Sequence, residues 1–119
     1  MKILITGGSG FIGRNLAEYF SSKYEVLAPA HKELELLDED AVSAYLSYHK
    51  FDAVIHAAIK PGHRNALDPA HQLYNDTRMF FNLVRNPSLF KKMILLSSGM
   101  VYDQRHYAPK MPEEYFDRH

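Results

Sequence analysis

Short apolar runs alternate along this chain with longer segments in which apolar residues recur at helical spacing. Four apolar runs bounded by polar or turn-forming residues predict strands at Ile3–Ile5, Tyr24–Ala28, Ala53–Ala57 and Met93–Leu96. The segments between them predict three helices, over 11–20, over 39–48 behind an Asp38 cap, and from Pro69 behind an Asp68 cap to about Arg85. The predicted order is therefore β-α-β-α-β-α-β.

Strands that alternate with helices favour a parallel sheet with helices on both faces, because each crossover helix packs back onto the sheet. The uninterrupted apolar runs Ile3–Ile5 and Met93–Leu96 are typical of strands buried on both sides. We therefore predict an α/β fold with a Rossmann-type parallel sheet, in its first half only, with strand order 3-2-1-4.

Length and composition narrow the class of protein. The 119 residues fit one domain over 1–119, and 14 Lys and Arg balance 14 Asp and Glu, which argues against nucleic acid as a partner. The chain has no Cys, and its seven His show no metal-ligand spacing, so we expect no metal site. No apolar run approaches the roughly 18 residues of a membrane span. The first strand leaves no room for a signal peptide, so we expect a cytoplasmic protein without a membrane partner.

A glycine-rich turn, Gly7–Gly13, joins the first predicted strand to the first predicted helix. It satisfies both G-x-G-x-x-G and G-x-x-G-x-x-G. Glycine permits the tight turn, and the missing Cβ atoms let a pyrophosphate approach the N–H groups at the helix N-terminus. A plain glycine-rich turn is the alternative, but the strand before it and the helix after it are the context that dinucleotide binding requires.

Four segments, in chain order, resemble the extended short-chain dehydrogenase/reductases, the NAD(P)-dependent epimerase/dehydratase family. They are the cofactor loop at 6–13, the adenine-lining segment at 33–38, the third strand with its Ala-Ala end at 52–58, and the fourth strand with its serine segment at 96–102. Asn75 also matches the asparagine of the family's third helix. The resemblance implies hydride transfer between a nicotinamide cofactor and a nucleotide-sugar, as in the family's reductases and epimerases.

The resemblance also implies roles for individual residues. Cofactor contacts are expected from the turn and from the segments after the second and third strands, namely Gly7, Gly10, Phe11, Ile12, Gly13, Arg14, Leu36, Ala57 and Ala58. Ser98 stands four residues before Tyr102 and matches the catalytic serine, whose hydroxyl would hydrogen-bond the reacting oxygen of the substrate. Taken alone, Ser98 would be a strand-end serine bonded to local backbone, and the surrounding segment favours the catalytic role.

The residues after the second strand bear on the choice of dinucleotide. In NAD-preferring folds an acid at this point usually accepts hydrogen bonds from the ribose, whereas here no acid occurs before Glu33. His31, Lys32 and Arg14 can instead pair with a 2′-phosphate, which favours NADP over NAD. The alternative is that His31 and Lys32 belong to a solvated loop.

The family's acid/base pair, Tyr-x-x-x-Lys, does not follow Ser98 in this sequence. Tyr107 precedes Lys110 at the wrong spacing, and Tyr19 with Lys23 matches the string only at the end of the first helix. We therefore expect the N-terminal, cofactor-binding part of such an enzyme, truncated before this pair and inactive alone. A non-catalytic dinucleotide-binding or sensor module and an inactive fragment are the alternatives.

The fourth strand carries a further expectation about partners. Without a fifth strand beside it, Met93–Leu96 presents unpaired backbone and apolar side chains at a sheet edge. Besides a nucleotide-sugar substrate, we therefore expect further copies of the chain as partners, in a homodimer or higher assembly formed through this edge.

Overall fold

Seven elements follow one another in the predicted order. The computed structural model describes residues 1–60, 71–98, 105, 108–110 and 112–114. Its elements are β1 (Lys2–Thr6), α1 (Phe11–Ser21), β2 (Glu25–Leu27), α2 (Glu39–His49), β3 (Ala53–His56), α3 (Gln72–Val84) and β4 (Lys92–Leu95). The Asp68 cap and the Pro69 start predicted for the third helix lie outside the described residues.

All four strands are parallel, in the order β2-β1-β3-β4. The predicted order 3-2-1-4 is therefore wrong, because the third strand of the chain pairs with β1 and not with β2. The buried strand β1 needs a hydrogen-bonded neighbour on each side, whereas β2 has only three residues and an exposed Glu25. After β2 the chain turns, with Glu33 N–H donating to Ala30 O at 2.8 Å, and α2 then carries it across to the other side of β1.

Helices cover both faces of the sheet, as the sequence predicts. On one face α1 packs against the strands through a cluster built on Ile3, Ile5 and Ile55. On the other face α2 and α3 close a larger core, whose buried members are Leu4, Leu34, Leu36, Val42, Leu46, Phe51, Val54, Met79 and Leu83. The α/β fold with a Rossmann-type parallel sheet is confirmed.

Asp38 caps α2 as its position in the sequence predicts. Its Oδ1 accepts a hydrogen bond from Ala41 N–H at 3.0 Å, and the first turn carries the acids Glu39 and Asp40. This arrangement satisfies an otherwise unpaired N–H group and places negative charge at the positive end of the helix dipole. The cap therefore fixes where the segment between β2 and α2 ends.

Asp52 ties three strands together at the amino end of the sheet. Its carboxylate accepts hydrogen bonds from Lys2 N–H at 2.8 Å and from Lys91 Nζ at 2.7 Å. Its carbonyl oxygen accepts from the N–H groups of Lys91 and Lys92. The hydrogen bond with Lys91 holds the pKa of Asp52 below its ordinary value, and the pKa of Lys91 is raised by the same contact.

The strand β4 is exposed rather than buried on both sides. Ile94 and Leu95 are 46% and 51% exposed, because no strand among the described residues pairs with the outer edge of β4. The expectation of an apolar edge is therefore met, and the expectation of burial on both sides holds for β1 only. No helix in the described part of the chain is long and apolar enough to cross a membrane.

Candidate dinucleotide-binding site

A cavity of about 600 Å³ opens at the carboxyl end of the sheet. Ligands of open α/β sheets bind at this end, and the volume is of the size that takes small molecules and cofactors. Described residues that line the cavity are Thr6, Gly7, Ser9, Gly10, Pro29, His31, Leu34, Glu35, Leu36, Leu37, Ala57, Ala58, Ile59, Lys60, Asn75 and Met79. They come from the turn after β1 and from the segments that follow β2 and β3, with one wall supplied by α3.

The glycine turn forms the floor of the cavity and touches the end of β3. Gly7 has φ +73°, and a Cβ there would lie 2.8 Å from backbone atoms of Ala57 and Ala58. A Cβ on Gly13 would overlap the carbonyl group of Gly7. The turn is closed by Gly10 N–H, which donates to Gly7 O at 2.9 Å. Because Gly10 caps α1 without a side chain, the first N–H groups of the helix face a region that a pyrophosphate can reach.

A buried hydrogen-bonded chain fixes the segment after β3. Thr6 Oγ1 lies 2.7 Å from His56 Nδ1 and accepts a hydrogen bond from Ala58 N–H at 3.2 Å. His56 is 3% exposed, and its burial lowers its pKa, although the Asp76 carboxylate partly opposes this change. At neutral pH the imidazole is therefore uncharged and joins the ends of β1 and β3.

Side chains of α3 bind the main chain of the two cavity walls that have no regular structure, namely the segments after β2 and after β3. Asn82 Nδ2 donates to Leu36 O at 2.9 Å, and Arg78 Nε donates to Leu37 O at 2.8 Å. Two residues before Arg78, Asp76 Oδ1 accepts from Lys60 N–H at 2.7 Å. The walls have no strand or helix of their own, so these contacts with α3 fix their course.

The two acidic residues after β2, Glu33 and Glu35, bind different groups and point in different directions. Glu33 Oε2 accepts from Ala30 N–H at 2.6 Å, within the turn itself. Glu35 Oε1 accepts from Leu37 N–H at 2.9 Å, while its Oε2 lies 2.8 Å from His31 Nε2. Of the two acids, only Glu35 lines the cavity.

The cavity collects part of the predicted cofactor set. Its lining includes Gly7, Gly10, His31, Leu36, Ala57 and Ala58. It does not include Phe11, Ile12, Gly13, Arg14 or Lys32. Gly13 packs beneath the turn, and the side chains of the other four residues are exposed. The roles of all these residues toward a cofactor stay predictions.

Ser98 lies beyond the carboxyl end of β4, at the same edge of the sheet as the cavity. The backbone approaches that end in register, since Leu96 N–H donates to His56 O at 3.1 Å. Ser98 is exposed and does not line the cavity, and Tyr102 lies outside the described residues. Its catalytic role therefore stays a prediction.

Several lining residues were missed by the sequence reasoning. Met79 lies four residues after Asn75 on α3, so helical spacing from the asparagine already matched to the family would have found it. Glu35 lies inside the segment assigned to the adenine, but nothing in the sequence distinguishes it from Glu33. Lys60 follows the Ala-Ala end of the third strand by two residues.

The pair Tyr19 and Lys23, which matches Tyr-x-x-x-Lys in the sequence, lies far from the cavity. Lys23 Nζ donates to Tyr19 Oη at 3.0 Å, but both side chains are exposed, Tyr19 in the last turn of α1 and Lys23 just after it. The 11 residues of this helix span about 16 Å, which separates the pair from the glycine turn. The interpretation of this string as surface is consistent with the fold. Among the described residues, no group of three His, Asp or Glu side chains is placed to hold a metal ion.

The comparison with protein families agrees with these features. A model of the NAD dependent epimerase/dehydratase family matches residues 3–118. The chain belongs to this family.

Individual relatives are nucleotide-sugar enzymes. GDP-L-colitose synthase of Yersinia pseudotuberculosis is 36% identical over 107 residues, which cover 86% of this chain and 35% of that enzyme. GDP-L-fucose synthase of Azorhizobium caulinodans is 39% identical over 106 residues, which cover 85% of this chain and 34% of that enzyme. The chain therefore spans about a third of the length of the curated relatives it matches.

Solved structures show the same fold. A GDP-mannoheptose C4 reductase of Campylobacter jejuni, solved with NADP bound, aligns over 98% of this chain and 38% of its own, with a TM-score of 0.83 and 26% identity.

We predict that Gly13→Ala destabilises the protein by about 2–3 kcal/mol, because the new methyl group would overlap the carbonyl of Gly7. Gly10→Ala is the matched control, since its Cβ would come no closer than 3.3 Å to Gly7 O. Urea unfolding followed by circular dichroism measures both free energies. Equal stability of the two variants would contradict the close contact.

We predict that His56 makes the protein less stable as the pH falls from 7.5 to 5.5. Its pKa is lowered in the folded state, so below the ordinary value near 6.5 the unfolded chain binds a proton that the folded chain does not. The loss approaches about 1.4 kcal/mol per pH unit at most. Urea unfolding across this range should give a shallower pH dependence for His56→Gln, while His71→Asn controls for removal of one imidazole. Equal pH dependence in wild type and His56→Gln would refute the assignment.

Proposed function

We propose that this chain forms the dinucleotide-binding part of an NAD(P)-dependent enzyme that acts on a nucleotide-sugar by hydride transfer. The observation that carries the proposal is the cavity of about 600 Å³ over a glycine-rich turn at a helix N-terminus. Membership of the epimerase/dehydratase family and relatives named for GDP-linked sugars support the choice of reaction and substrate class.

The residues present fit a dinucleotide. The N–H groups at the start of α1 would bind the pyrophosphate, because Gly7 and Gly10 leave the approach open. Leu34 and Leu36 offer an apolar wall for the adenine, and the Ala57–Ala58 segment, held by Thr6, would lie against the ribose on the nicotinamide side. When bound, the nicotinamide supplies or accepts the hydride.

The turn after β2 and the first turn of α1 carry basic side chains that can pair with a 2′-phosphate. His31 lines the cavity, Lys32 follows it, and Arg14 lies in the first turn of α1. We propose NADP as the preferred cofactor on this ground, and the similar reductase solved with NADP supports it. NAD is the alternative.

Ser98 would polarise the reacting oxygen of the substrate by donating a hydrogen bond as charge develops there. It follows β4 at the sheet edge where the cavity opens, which is consistent with this role. The proton would be transferred by a Tyr-x-x-x-Lys pair that has no match after Ser98 in this sequence. We therefore propose that the 119-residue chain binds cofactor without turning over substrate.

Binding and turnover of the purified 119-residue chain test the proposal. Titration with NADPH, followed by nicotinamide fluorescence, should show saturable binding, and Gly10→Ala should weaken it at least about tenfold because the methyl group crowds the pyrophosphate position. A panel of GDP- and UDP-linked sugars should give no change in NADPH absorbance. A folded chain that binds neither NADPH nor NADH would contradict the function, and clear turnover would contradict the expected inactivity alone.

We also propose that the chain forms a homodimer through the exposed edge of β4. Ile94 and Leu95 are about half exposed there, and parallel strands with free edges pair readily with another chain. Light scattering should give twice the monomer mass for wild type and the monomer mass for Ile94→Lys. The variant Tyr48→Lys, at an exposed apolar residue on α2, is the control and should remain dimeric. A monomeric wild type would rule the dimer out.

A further inference from the structure

We propose that Glu35 sets the preference of this site between 2′-phosphorylated and unphosphorylated dinucleotides by competing with the phosphate for His31. This inference rests on the proposed binding of a dinucleotide in the cavity. It concerns one carboxylate, which the sequence does not distinguish from its neighbour Glu33.

The contacts of Glu35 place its charge beside the basic group that would meet a 2′-phosphate. One carboxylate oxygen is held by Leu37 N–H at 2.9 Å, and the other lies 2.8 Å from His31 Nε2. Both His31 and Glu35 line the cavity. His31 is therefore already engaged by a carboxylate at the place where it would bind the cofactor.

The pair is weak enough to open. The side chains of His31 and Glu35 are 82% and 37% exposed, and contacts between polar or charged side chains in such surroundings contribute little to stability. A 2′-phosphate can displace Glu35 from His31, but it then faces the negative charge that Leu37 N–H keeps in place. An unphosphorylated ribose meets no such repulsion, and its hydroxyl can donate a hydrogen bond to the same carboxylate.

Glu33 shows what an acid in this turn does when it does not face the site. Its carboxylate binds Ala30 N–H at 2.6 Å and does not line the cavity. Two acids of equal charge, two residues apart, thus differ in whether they contact His31 and line the cavity. This difference provides a matched control for the charge itself.

The experiment compares Glu35→Gln with Glu33→Gln by titration of NADPH and NADH at low ionic strength. Glutamine keeps one oxygen as the acceptor for the local N–H group in each case, removes the charge, and replaces the second carboxylate oxygen with an NH2 group. Glu35→Gln should raise the ratio of NADPH affinity to NADH affinity about five- to tenfold, as expected for removal of one nearby like charge near a protein surface. Glu33→Gln should change this ratio less than about twofold.

Competition for His31 is tested by combining the variants. His31→Gln should weaken NADPH binding more in the Glu35→Gln background than in wild type, because His31 is released there to bind the phosphate. Equal effects in both backgrounds, an unchanged ratio in Glu35→Gln, or an equal change in Glu33→Gln would overturn the inference while leaving dinucleotide binding intact. A wild-type chain that binds neither dinucleotide would instead overturn the proposed function, and this inference with it.

Discussion

The close backbone contact between the glycine turn and the end of β3 is the constraint on which the site depends. Gly7 lies directly against Ala57 and Ala58, and Gly13 packs under the carbonyl of Gly7. On the other side, a Cβ on Gly8 would lie 2.7 Å from Ala28 Cβ, just after β2. The turn is thus wedged between two strand ends. A side chain added at Gly7, Gly8 or Gly13 would force these segments apart and open the floor of the cavity.

The helix α3 supplies a second constraint, because it holds in place the two cavity walls that lack regular structure, the segments after β2 and after β3. Asn82, Arg78 and Asp76 all contact main-chain groups of these walls. Contacts to the main chain fix the course of a segment without constraining which side chains it carries. The wall side chains are therefore left to meet a ligand, while a rigid helix sets the distance between the two walls.

The elements and the layers of this fold could be predicted from the sequence because each depends on local pattern. The apolar run Ile3–Ile5, the Asp38 cap and the glycine turn all appear where the pattern places them. The strand order could not be predicted in the same way, because it depends on which edge of β1 the chain reaches after β2. The short β2 and the turn at Ala30–Glu33 decide that choice, and their effect is visible only in three dimensions.

The same distinction holds for the cavity, because local sequence pattern predicts part of its lining and the rest depends on the three-dimensional fold. The turn and the Ala57–Ala58 segment follow from motif and spacing, and the structure brings them together with His31 and Leu36. Glu33 and Glu35 point in different directions because each carboxylate binds a different N–H group, and the sequence does not show which group each one binds. The position of Ser98 relative to the cavity depends in turn on residues beyond β4.

The parallel pairing of β1 with β3 has a consequence for how this chain acquires its structure during synthesis. Lys2 N–H is bonded to the Asp52 carboxylate, 50 residues further along, and β1 has only the three-residue β2 as an earlier partner. A pair of such short strands is marginally stable at best in water, and α1 covers only one of its faces. During synthesis β1 therefore remains largely unpaired until β3 has left the ribosome. Its apolar run of Ile3, Leu4 and Ile5 then lacks its β3 neighbour in the nascent chain, and such a segment is prone to aggregation.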